Sequence, residues 1–458
     1  MPLRFPTWEE NAGALLYTYC ADTKHTAKGC TDMKKLTVSG RYLRWETGEP
    51  FFYLGDTAWE LFHRLRADEL DHYFSVRAAQ GFTVSQCVAL AEFEGLTVPN
   101  AHGRLPLLFT DGLPDPTKPD LGGEYSYWDH VDHALDAAAA HGMLIALLPT
   151  WGDKFNLCWG KGPVVFDEEN AYVYGKWIGE RYRERWNLIW MLGGDRPLEP
   201  AHRRIVDAMA RGIREADPNH LITFHPPGTR DSTDFLLDAD YIDFHTAQTG
   251  HGIEQCYASD AVMRKMAAVS GKPYLDSEPR YEDHPACFND RIGWYWDEAD
   301  VRQNAYWDVL AGACGHTYGN HCIWSMTTEP SSYFPYPWRE ALTHPGARQM
   351  GYVKQLRLSR DYFSLRPAPE LIVRNHPGMG HMAAARGDGY AYVYSPLGVP
   401  FEMELSLFPG AKAVRALWFD PRTGAERVFA ILPPEGRSLF APPTQGKGCD
   451  WLLILESV

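Results

Sequence analysis

Two carboxylic side chains directly follow apolar segments of this 458-residue sequence, and their placement would allow acid–base chemistry. Asp195 follows "LIWMLGG" at 188–194, and Glu278 follows "KPYLDS" at 272–277. Each segment has the pattern of a buried strand, so we expect each carboxyl group at the end of a strand. A carboxylic acid and a carboxylate that face each other across a cleft are the pair that hydrolysis of a glycosidic bond needs.

The elements that must position this pair are eight short apolar segments that alternate with amphipathic ones. The segments are "FFYLGD" at 51, "TVSQCVAL" at 83, "MLIALLP" at 143, "LIWMLGGD" at 188, "LITFHPP" at 221, "YIDFHTAQ" at 241, "KPYLDSEP" at 272 and "CGHTYGNHCIWS" at 314. Buried strands separated by amphipathic helices are typical of a parallel sheet covered by helices, and eight such units predict a closed (β/α)8 TIM barrel of class α/β. Asp195 and Glu278 then follow strands 4 and 7, which face each other across the barrel mouth.

Many other polar and aromatic side chains stand at the ends of the same strands. The active sites of such barrels lie at the C-terminal ends of the strands, so we predict that these side chains bind the substrate. The predicted substrate-binding residues are Asp56, Trp59, Trp151, Asp153, Arg196, His225, His245, Gln248, Arg280, His316, Tyr318 and Trp324. A guanidinium group lowers the pKa of a neighbouring carboxyl group, which suits a nucleophile, so we expect Arg196 or Arg280 nearer to Glu278 than to Asp195.

The pattern changes after about residue 367, where short strands are separated by glycine and proline turns. Segments such as "AYVYSP", "AVRALWFD" and "DWLLILES" predict a small antiparallel β-sandwich. Before the barrel, "KLTVSGRYLRWETGEPFFYLG" predicts a hairpin. The predicted domains are an N-terminal extension of unassigned structure at 1–36, the catalytic barrel at 37–362 and the C-terminal sandwich at 367–458.

Composition excludes several classes of partner. The net charge of -15 repels phosphate groups, so we expect neither nucleic acid nor an anionic membrane as a partner. The longest apolar runs, such as "LIALLP" at 144–149, are too short to span a bilayer. The nine cysteines contain no Cys-x-x-Cys, and the N-terminus lacks the pattern of a secretion signal, which together predict a cytoplasmic protein. Metal-binding spacings such as His-Glu-x-x-His are absent from the sequence, so we expect neither a metal nor another cofactor.

Four segments of the sequence resemble a known family. "PFFYLGDTAWELFHRL" at 50–65, "YWDHVDHALDAAAAHGMLIALLPTWGDKF" at 127–155, "NLIWMLGGDRP" at 187–197 and "PYLDSEPRYE" at 273–282 are similar to the apiosidase-like glycoside hydrolases, glycoside hydrolase family 140. This resemblance covers about residues 37–360 and implies a barrel of the retaining clan GH-A design. It also implies Asp195 as the acid/base, Glu278 as the nucleophile and a C-terminal β-sandwich of the kind often attached to these barrels.

The resulting hypothesis is a retaining, exo-acting glycoside hydrolase that releases a terminal sugar, with apiose or another furanose favoured, from a short glycoside or oligosaccharide. Its carboxyl groups should lie about 5–5.5 Å apart. One alternative is a glycosidase of the same design that acts on a pyranoside, and another is a non-catalytic carbohydrate-binding protein. A metal-dependent amidohydrolase barrel would need a histidine cluster after strand 1, which "FYLGDTAW" does not supply. The sequence leaves the sugar, its linkage and assembly into a homo-oligomer open.

Overall fold

The fold was determined from a computed structural model, which describes residues 35–252 and 258–458. The predicted N-terminal extension at 1–36 lies almost entirely outside these residues. The strands, numbered along the chain, are β1 (Leu36–Ser39), β2 (Tyr42–Trp45), β3 (Pro50–Phe51), β4 (Tyr53–Thr57), β5 (Val84–Val88), β6 (Leu107–Thr110), β7 (Leu113–Pro119), β8 (Leu144–Leu148), β9 (Leu188–Gly193), β10 (Ile222–His225), β11 (Arg230–Asp231), β12 (His245–Gln248), β13 (Tyr274–Asp276), β14 (Tyr281–Glu282), β15 (Gly315–Asn320), β16 (Arg366–Pro367), β17 (Ala383–Gly387), β18 (Tyr390–Ser395), β19 (Phe401–Glu404), β20 (Val414–Asp420), β21 (Ala425–Leu432), β22 (Arg437–Phe440) and β23 (Trp451–Ser457).

Helices connect most of the barrel strands and cover their outer side. They are α1 (Leu61–Arg64), α2 (Ala67–Ala79), α3 (Tyr127–Ala140), α4 (Glu168–Tyr182), α5 (Pro200–Ala216), α6 (Thr233–Leu236), α7 (Ala258–Val269), α8 (Glu298–Leu310), α9 (His321–Trp324), α10 (Trp338–Ala341) and α11 (Pro345–Leu358). Several of the long helices begin at a side-chain cap: Ser126, Asp167 and Asp297 each accept a hydrogen bond from a backbone N–H of the first turn. Such caps satisfy N–H groups that have no partner within the helix, which fixes where these helices start.

The eight predicted strands form the barrel as β4, β5, β8, β9, β10, β12, β13 and β15. All neighbouring pairs in the run β10-β9-β8-β5-β4-β15 are parallel, as are β12 and β13. Beside β10, the N–H of Asp243 donates to the carbonyl of Ile222 at 2.8 Å, which brings β12 against β10. The N–H of Cys314 donates to the carbonyl of Tyr274 at 2.9 Å, which joins β13 to β15 and completes the circle. The predicted (β/α)8 fold is confirmed.

The strands of the barrel are buried along their whole length, as near-continuous apolar segments predict. Every residue of β5, β8 and β9 is buried, because one face packs inside the barrel and the other against the helices. The predicted hairpin is present as β1 and β2, which pair antiparallel immediately before the barrel. Two further antiparallel strands, β6 and β7, form a ribbon in the connection between β5 and α3.

The C-terminal region is the predicted antiparallel sandwich. Its larger sheet has the order β16-β17-β18-β23-β20-β21, and the pair β19–β22 forms the second sheet. Phe401 on β19 contacts Trp418 on β20 with ring centroids 6.4 Å apart, so the two sheets share an apolar core.

Alternation along β18 and β23 divides their side chains between two cores. Ala391, Val393, Leu453 and Leu455 belong to the core of the sandwich. Tyr390, Tyr392, Tyr394, Leu452 and Ile454 face the other way and join the core of the barrel. Because side chains of a strand alternate between its faces, one sheet can pack on the sandwich core with one face and on the barrel core with the other.

The predicted domain boundaries at residues 36–37 and 362–367 stay predictions.

A buried ion pair also links the two parts of the chain. Arg302 on α8 contacts both carboxylate oxygens of Asp450, with distances of 2.6 and 3.0 Å. The hydroxyl of Tyr394 donates to the same carboxylate at 3.1 Å.

Within the described chain, none of the helices combines the length and the apolar character that a membrane span needs.

Candidate active site

A cavity of about 790 Å³ opens at the C-terminal ends of the barrel strands, and both Asp195 and Glu278 line it. Its lining includes the rings of Trp59, Trp151 and Trp159. Ring centroids of Trp59 and Trp151 lie 5.2 Å apart. A large concave site lined by aromatic rings and a few polar groups is typical of a small-molecule site.

The backbone that carries Asp195 is held in a rare conformation. After β9, Gly193, Gly194 and Asp195 have φ values of 95°, 111° and 57°. A Cβ atom on Gly194 would lie 2.5 Å from the backbone nitrogen of Gly152, so the chain admits only glycine there. The two glycines therefore let the chain turn tightly against its neighbours, and Asp195 emerges from that turn with a left-handed backbone, which is a form of strain that clusters at functional sites.

The environment of Asp195 combines burial with hydrogen bonds to one carboxylate oxygen. Trp159 Nε1 donates to Oδ2 at 3.1 Å, and Arg196 Nη1 donates to the same oxygen at 3.0 Å. Burial raises the pKa of Asp195 above its usual value, and the negative charge of Glu278 raises it further, although Arg196 and the bond from Trp159 oppose them. A carboxyl group with a raised pKa retains its proton to higher pH, which suits a general acid.

Glu278 has the opposite environment. His225 Nε2 lies 2.8 Å from Oε2, and His251 Nε2 lies 3.0 Å from Oε1, so each oxygen has its own histidine partner. Burial by itself would raise the pKa of Glu278, but the hydrogen bonds and charge of His225 and His251 outweigh burial and lower the pKa to about 2. The orientation of His225 is fixed from behind by Ser277, whose Oγ lies 3.0 Å from Nδ1. Glu278 is thus held as a carboxylate, the form in which it can act as a nucleophile.

The two carboxyl groups therefore have pKa values moved apart by their surroundings. Such a pair assigns one group as the acid and the other as the anionic partner. Both groups line the same cavity, and the negative charge of Glu278 contributes to the raised pKa of Asp195.

Comparison with known proteins identifies the family. A family model described as the apiosidase-like catalytic domain matches residues 37–364. The chain belongs to the apiosidase-like family. A second family model, described as a collagen-binding domain of a collagenase, matches residues 367–456 of the enzyme. That description belongs to the second model, and it does not assign collagen binding to this apiosidase-like enzyme.

Solved structures agree with this assignment. A protein titled "Glycoside hydrolase" is 31% identical, with a TM-score of 0.84, and the match covers 93% of this chain and 97% of that one. A glycoside hydrolase family 5 protein from Bacteroides vulgatus is 31% identical, with a TM-score of 0.83 and coverage of 92% and 93%. A GH27 β-L-arabinopyranosidase from Geobacillus stearothermophilus is 11% identical, with a TM-score of 0.55 and coverage of 89% and 97%, and it shares the fold alone. No curated protein matches the chain. The apiosidase-like chain is a glycoside hydrolase.

Four of the predicted substrate-binding residues line the cavity of the apiosidase-like enzyme: Trp59, Trp151, Gln248 and Trp324. Their contact with substrate stays a prediction. His225 is fully buried behind Glu278 and contacts the rings of Trp59 and Trp151 at centroid distances of 5.1 and 5.7 Å. It positions the carboxylate instead of lining the wall.

The expectation for the arginines was wrong for Arg196. Its guanidinium pairs with Asp195 at 3.0 Å and lies over the ring of Trp159, 4.4 Å from the centroid. Histidines hold Glu278 instead. Arg280 is buried behind the cavity wall, where its guanidinium lies 5.2 Å from the centroid of Trp296.

Five other predicted residues are buried in the barrel strands or in the turn after β8 and do not line the cavity, which corrects their placement. Asp56 is fully buried and accepts hydrogen bonds from Tyr73 at 2.6 Å and Arg77 at 2.7 Å on α2. The remaining four are also buried and bonded to protein groups: Asp153 to Lys154, His245 to Ser232, His316 to Asp308 and Tyr318 to Glu282. Side chains of a strand alternate between inside and outside, so a polar residue at a strand end need not face the mouth.

Several cavity residues were missed by the sequence reasoning. They are Glu92, Phe93, Trp159, His251, Tyr281, His284, Phe288, His321, Tyr333 and Phe334. Glu92 and His251 follow β5 and β12, so the strand-end rule could have found them. Tyr281 begins β14 and His321 begins α9, whereas Trp159 and the others come from the connections between strands and helices, where the sequence carries no periodic signal. Among residues 35–252 and 258–458, no group of three or more His, Cys, Asp or Glu side chains could hold a metal ion.

Proposed function

We propose that this glycoside hydrolase is a retaining, exo-acting enzyme that releases a terminal sugar, with apiose or another furanose favoured, from a short glycoside or oligosaccharide. The observation that carries the proposal is the contrast between the two carboxyl groups. Glu278 receives a hydrogen bond from a histidine on each oxygen, whereas the pKa of Asp195 is raised.

The reaction follows from this contrast in two steps. In the first step Glu278 attacks the anomeric carbon while Asp195 gives its proton to the departing oxygen. In the second step Asp195 takes a proton from water, and the water oxygen displaces Glu278 from the anomeric carbon with net retention of configuration. Asp195 contributes roughly 10²–10⁴-fold through proton transfer, and Glu278 supplies the covalent bond of the intermediate.

Retention requires a short separation between the carboxyl groups, about 5–5.5 Å, because a longer gap of roughly 6.5–9.5 Å admits a water for inversion. The hydrogen bonds from His225 and His251 keep Glu278 anionic and in place, as a nucleophile requires. Proton NMR of the first-formed sugar tests this: the anomer that appears first should have the configuration of the substrate.

Exo action is supported by the aromatic rings that line the cavity. Trp159 donates a hydrogen bond to Asp195, and the rings of His284 and Tyr333, which also line the cavity, have centroids 6.2 Å apart. Release of single sugars, without internal oligomers, is the expected product pattern.

Apiose is supported by membership of the apiosidase-like family. The alternative sugar is a pyranose bound by the same pair. A non-catalytic carbohydrate-binding role is the alternative from another class, and the opposed environments of Asp195 and Glu278 argue against it. We also propose a cytoplasmic location, supported by the free thiols of Cys87, Cys314 and Cys322 in the barrel.

The test compares a good and a poor leaving group. A set of nitrophenyl glycosides, including 4-nitrophenyl apiofuranoside, identifies the sugar. Asp195→Ala should damage hydrolysis of an alkyl glycoside severely but spare the first step on the nitrophenyl glycoside, and azide should restore turnover. Glu278→Ala should be nearly inactive on both. Equal damage by Asp195→Ala on both substrates would show that the roles are assigned wrongly.

A further inference from the structure

Glu92 is a third carboxylic side chain in the cavity. It lies in the loop that follows β5, and it lines the cavity together with Asp195, Trp59 and Trp151. Its side chain is neither fully buried nor exposed, and the cavity is the space onto which it opens. The two-carboxylate mechanism gives Glu92 no role.

The neighbouring carboxyl groups all have protein partners. Asp153 pairs with Lys154 at 3.1 Å and also accepts from the N–H of Gly162 at 2.9 Å. Glu60 has Arg64 at 3.5 Å, and Asp195 has its bonds from Arg196 and Trp159.

Glu92 differs from this group. Within residues 35–252 and 258–458, no side chain or backbone group forms a hydrogen bond or an ion pair with its carboxyl group. Burying a polar group without a partner is unfavourable, so a partner that arrives with the substrate would remove that penalty.

We propose that Glu92 contacts the bound glycoside directly and forms a hydrogen bond with one of its hydroxyl groups. The proposal rests on the function proposed above, because it assigns a sugar to the cavity. It makes Glu92 a substrate-binding residue of the acid/base wall.

The charge state of Glu92 supports a donor role. Burial raises the pKa of Glu92 well above its usual value, and the negative charges of Glu60, Asp195 and Asp153 add to this, while Arg196 opposes them. A protonated carboxyl group can donate its O–H to a sugar hydroxyl and accept from another through its carbonyl oxygen. A neutral group also avoids a further negative charge in the cavity that holds the Glu278 carboxylate.

The experiment replaces Glu92 with glutamine and with alanine and measures kcat/KM on 4-nitrophenyl apiofuranoside and on a disaccharide with the same terminal sugar. Glutamine keeps a neutral donor of the same size, so Glu92→Gln should remain within about 5-fold of the wild type on both substrates. Glu92→Ala should lose about 10- to 100-fold on at least one substrate, since a hydroxyl group is left without its partner. The matched control is Glu94, whose half-exposed side chain pairs at the surface with Lys161 at 3.3 Å, and Glu94→Ala should leave kcat/KM unchanged.

The outcomes separate the alternatives. Glu92→Ala within twofold of the wild type on both substrates overturns the proposal. So does a Glu92→Gln variant that fails on the disaccharide but not on the nitrophenyl glycoside, because that pattern marks a proton donor. If Glu92→Ala does not fold, Glu92→Asp withdraws the carboxyl group by one methylene and should lose at least about 5-fold, and full activity of that variant overturns the proposal. A wild-type chain that hydrolyses neither compound nor any other nitrophenyl glycoside of the set refutes the proposed function itself, whereas an active wild type with an unaffected Glu92→Ala refutes only this inference.

Discussion

Replacing His251 by phenylalanine should raise the pKa of the nucleophile and move the acid side of the pH–rate profile. The ring of His251 packs against Tyr281 and His284 at centroid distances of 4.3 and 4.4 Å, and phenylalanine preserves that packing. The substitution removes the N–H that lies 3.0 Å from Glu278 Oε1 together with the charge that His251 places beside it.

The size of the shift follows from the lost bond. A hydrogen bond to a charged group contributes about 1.5–3 kcal/mol, and 1.36 kcal/mol corresponds to one pKa unit, so the expected rise is about 1–2 units. The pKa of Glu278 is lowered to about 2 in the wild type, so the variant should titrate at about 3–4. Glu278 acts as a carboxylate, so kcat/KM is lost as the pH falls through this pKa, and the variant should lose activity at a higher pH than the wild type.

The measurement is kcat/KM on a nitrophenyl glycoside between about pH 2.5 and 7, with circular dichroism at each pH to confirm the folded state. His284→Phe is the matched control, because His284 stacks on His251 but does not contact Glu278. Burial lowers the pKa of His284 well below its usual value, so its removal takes no charge from the site. An acid limb that stays in place in His251→Phe, or that moves equally in His284→Phe, would refute the reasoning.

Four further predictions test other parts of the structure. Arg196→Met should raise the pKa of Asp195, because the guanidinium that lowers it is lost, so the basic limb of kcat/KM should move to higher pH; a basic limb that moves to lower pH contradicts this. Gly194→Ala should lower both turnover and the melting temperature, since the new Cβ would lie 2.5 Å from a backbone nitrogen. Arg302→Leu should cost about 3–5 kcal/mol of unfolding free energy in urea by leaving a buried carboxylate unpaired, whereas Arg339→Leu, at a surface ion pair, should cost no more than about 1 kcal/mol. Activity should be unchanged after treatment with a chelator, and a loss that added metal restores would refute the two-carboxylate mechanism.

The barrel was predictable because a strand buried on both faces has a distinctive composition. Each of the eight apolar segments became a barrel strand, and Asp195 and Glu278 lie at the ends of β9 and β13 in one cavity. The sandwich was predictable for a related reason, since "YAYVYS" alternates residues for two cores.

The substrate-binding residues were harder to predict, because the strand-end rule cannot tell which face a side chain takes. Asp56 and His316 both stand in barrel strands, yet Asp56 bonds to Arg77 on α2 and His316 to Asp308 on α8. Side chains one position apart point to opposite faces, so a difference of one residue separates the cavity from the helix layer. The expectation for Arg196 was wrong for a different reason: its guanidinium pairs with Asp195, the adjacent residue, and not with Glu278.

The sequence by itself determined the fold, the placement of Asp195 and Glu278 at strand ends and the family resemblance, because these depend on periodic burial and on residues adjacent to strands. Only the tertiary structure decided which groups surround the pair. Glu278 is 278 − 251 = 27 residues from His251 and 278 − 225 = 53 from His225, and no local pattern links the three. Electrostatic environment depends on distance in space and on exclusion of water, and both arise only when the barrel closes and brings these loops to one rim.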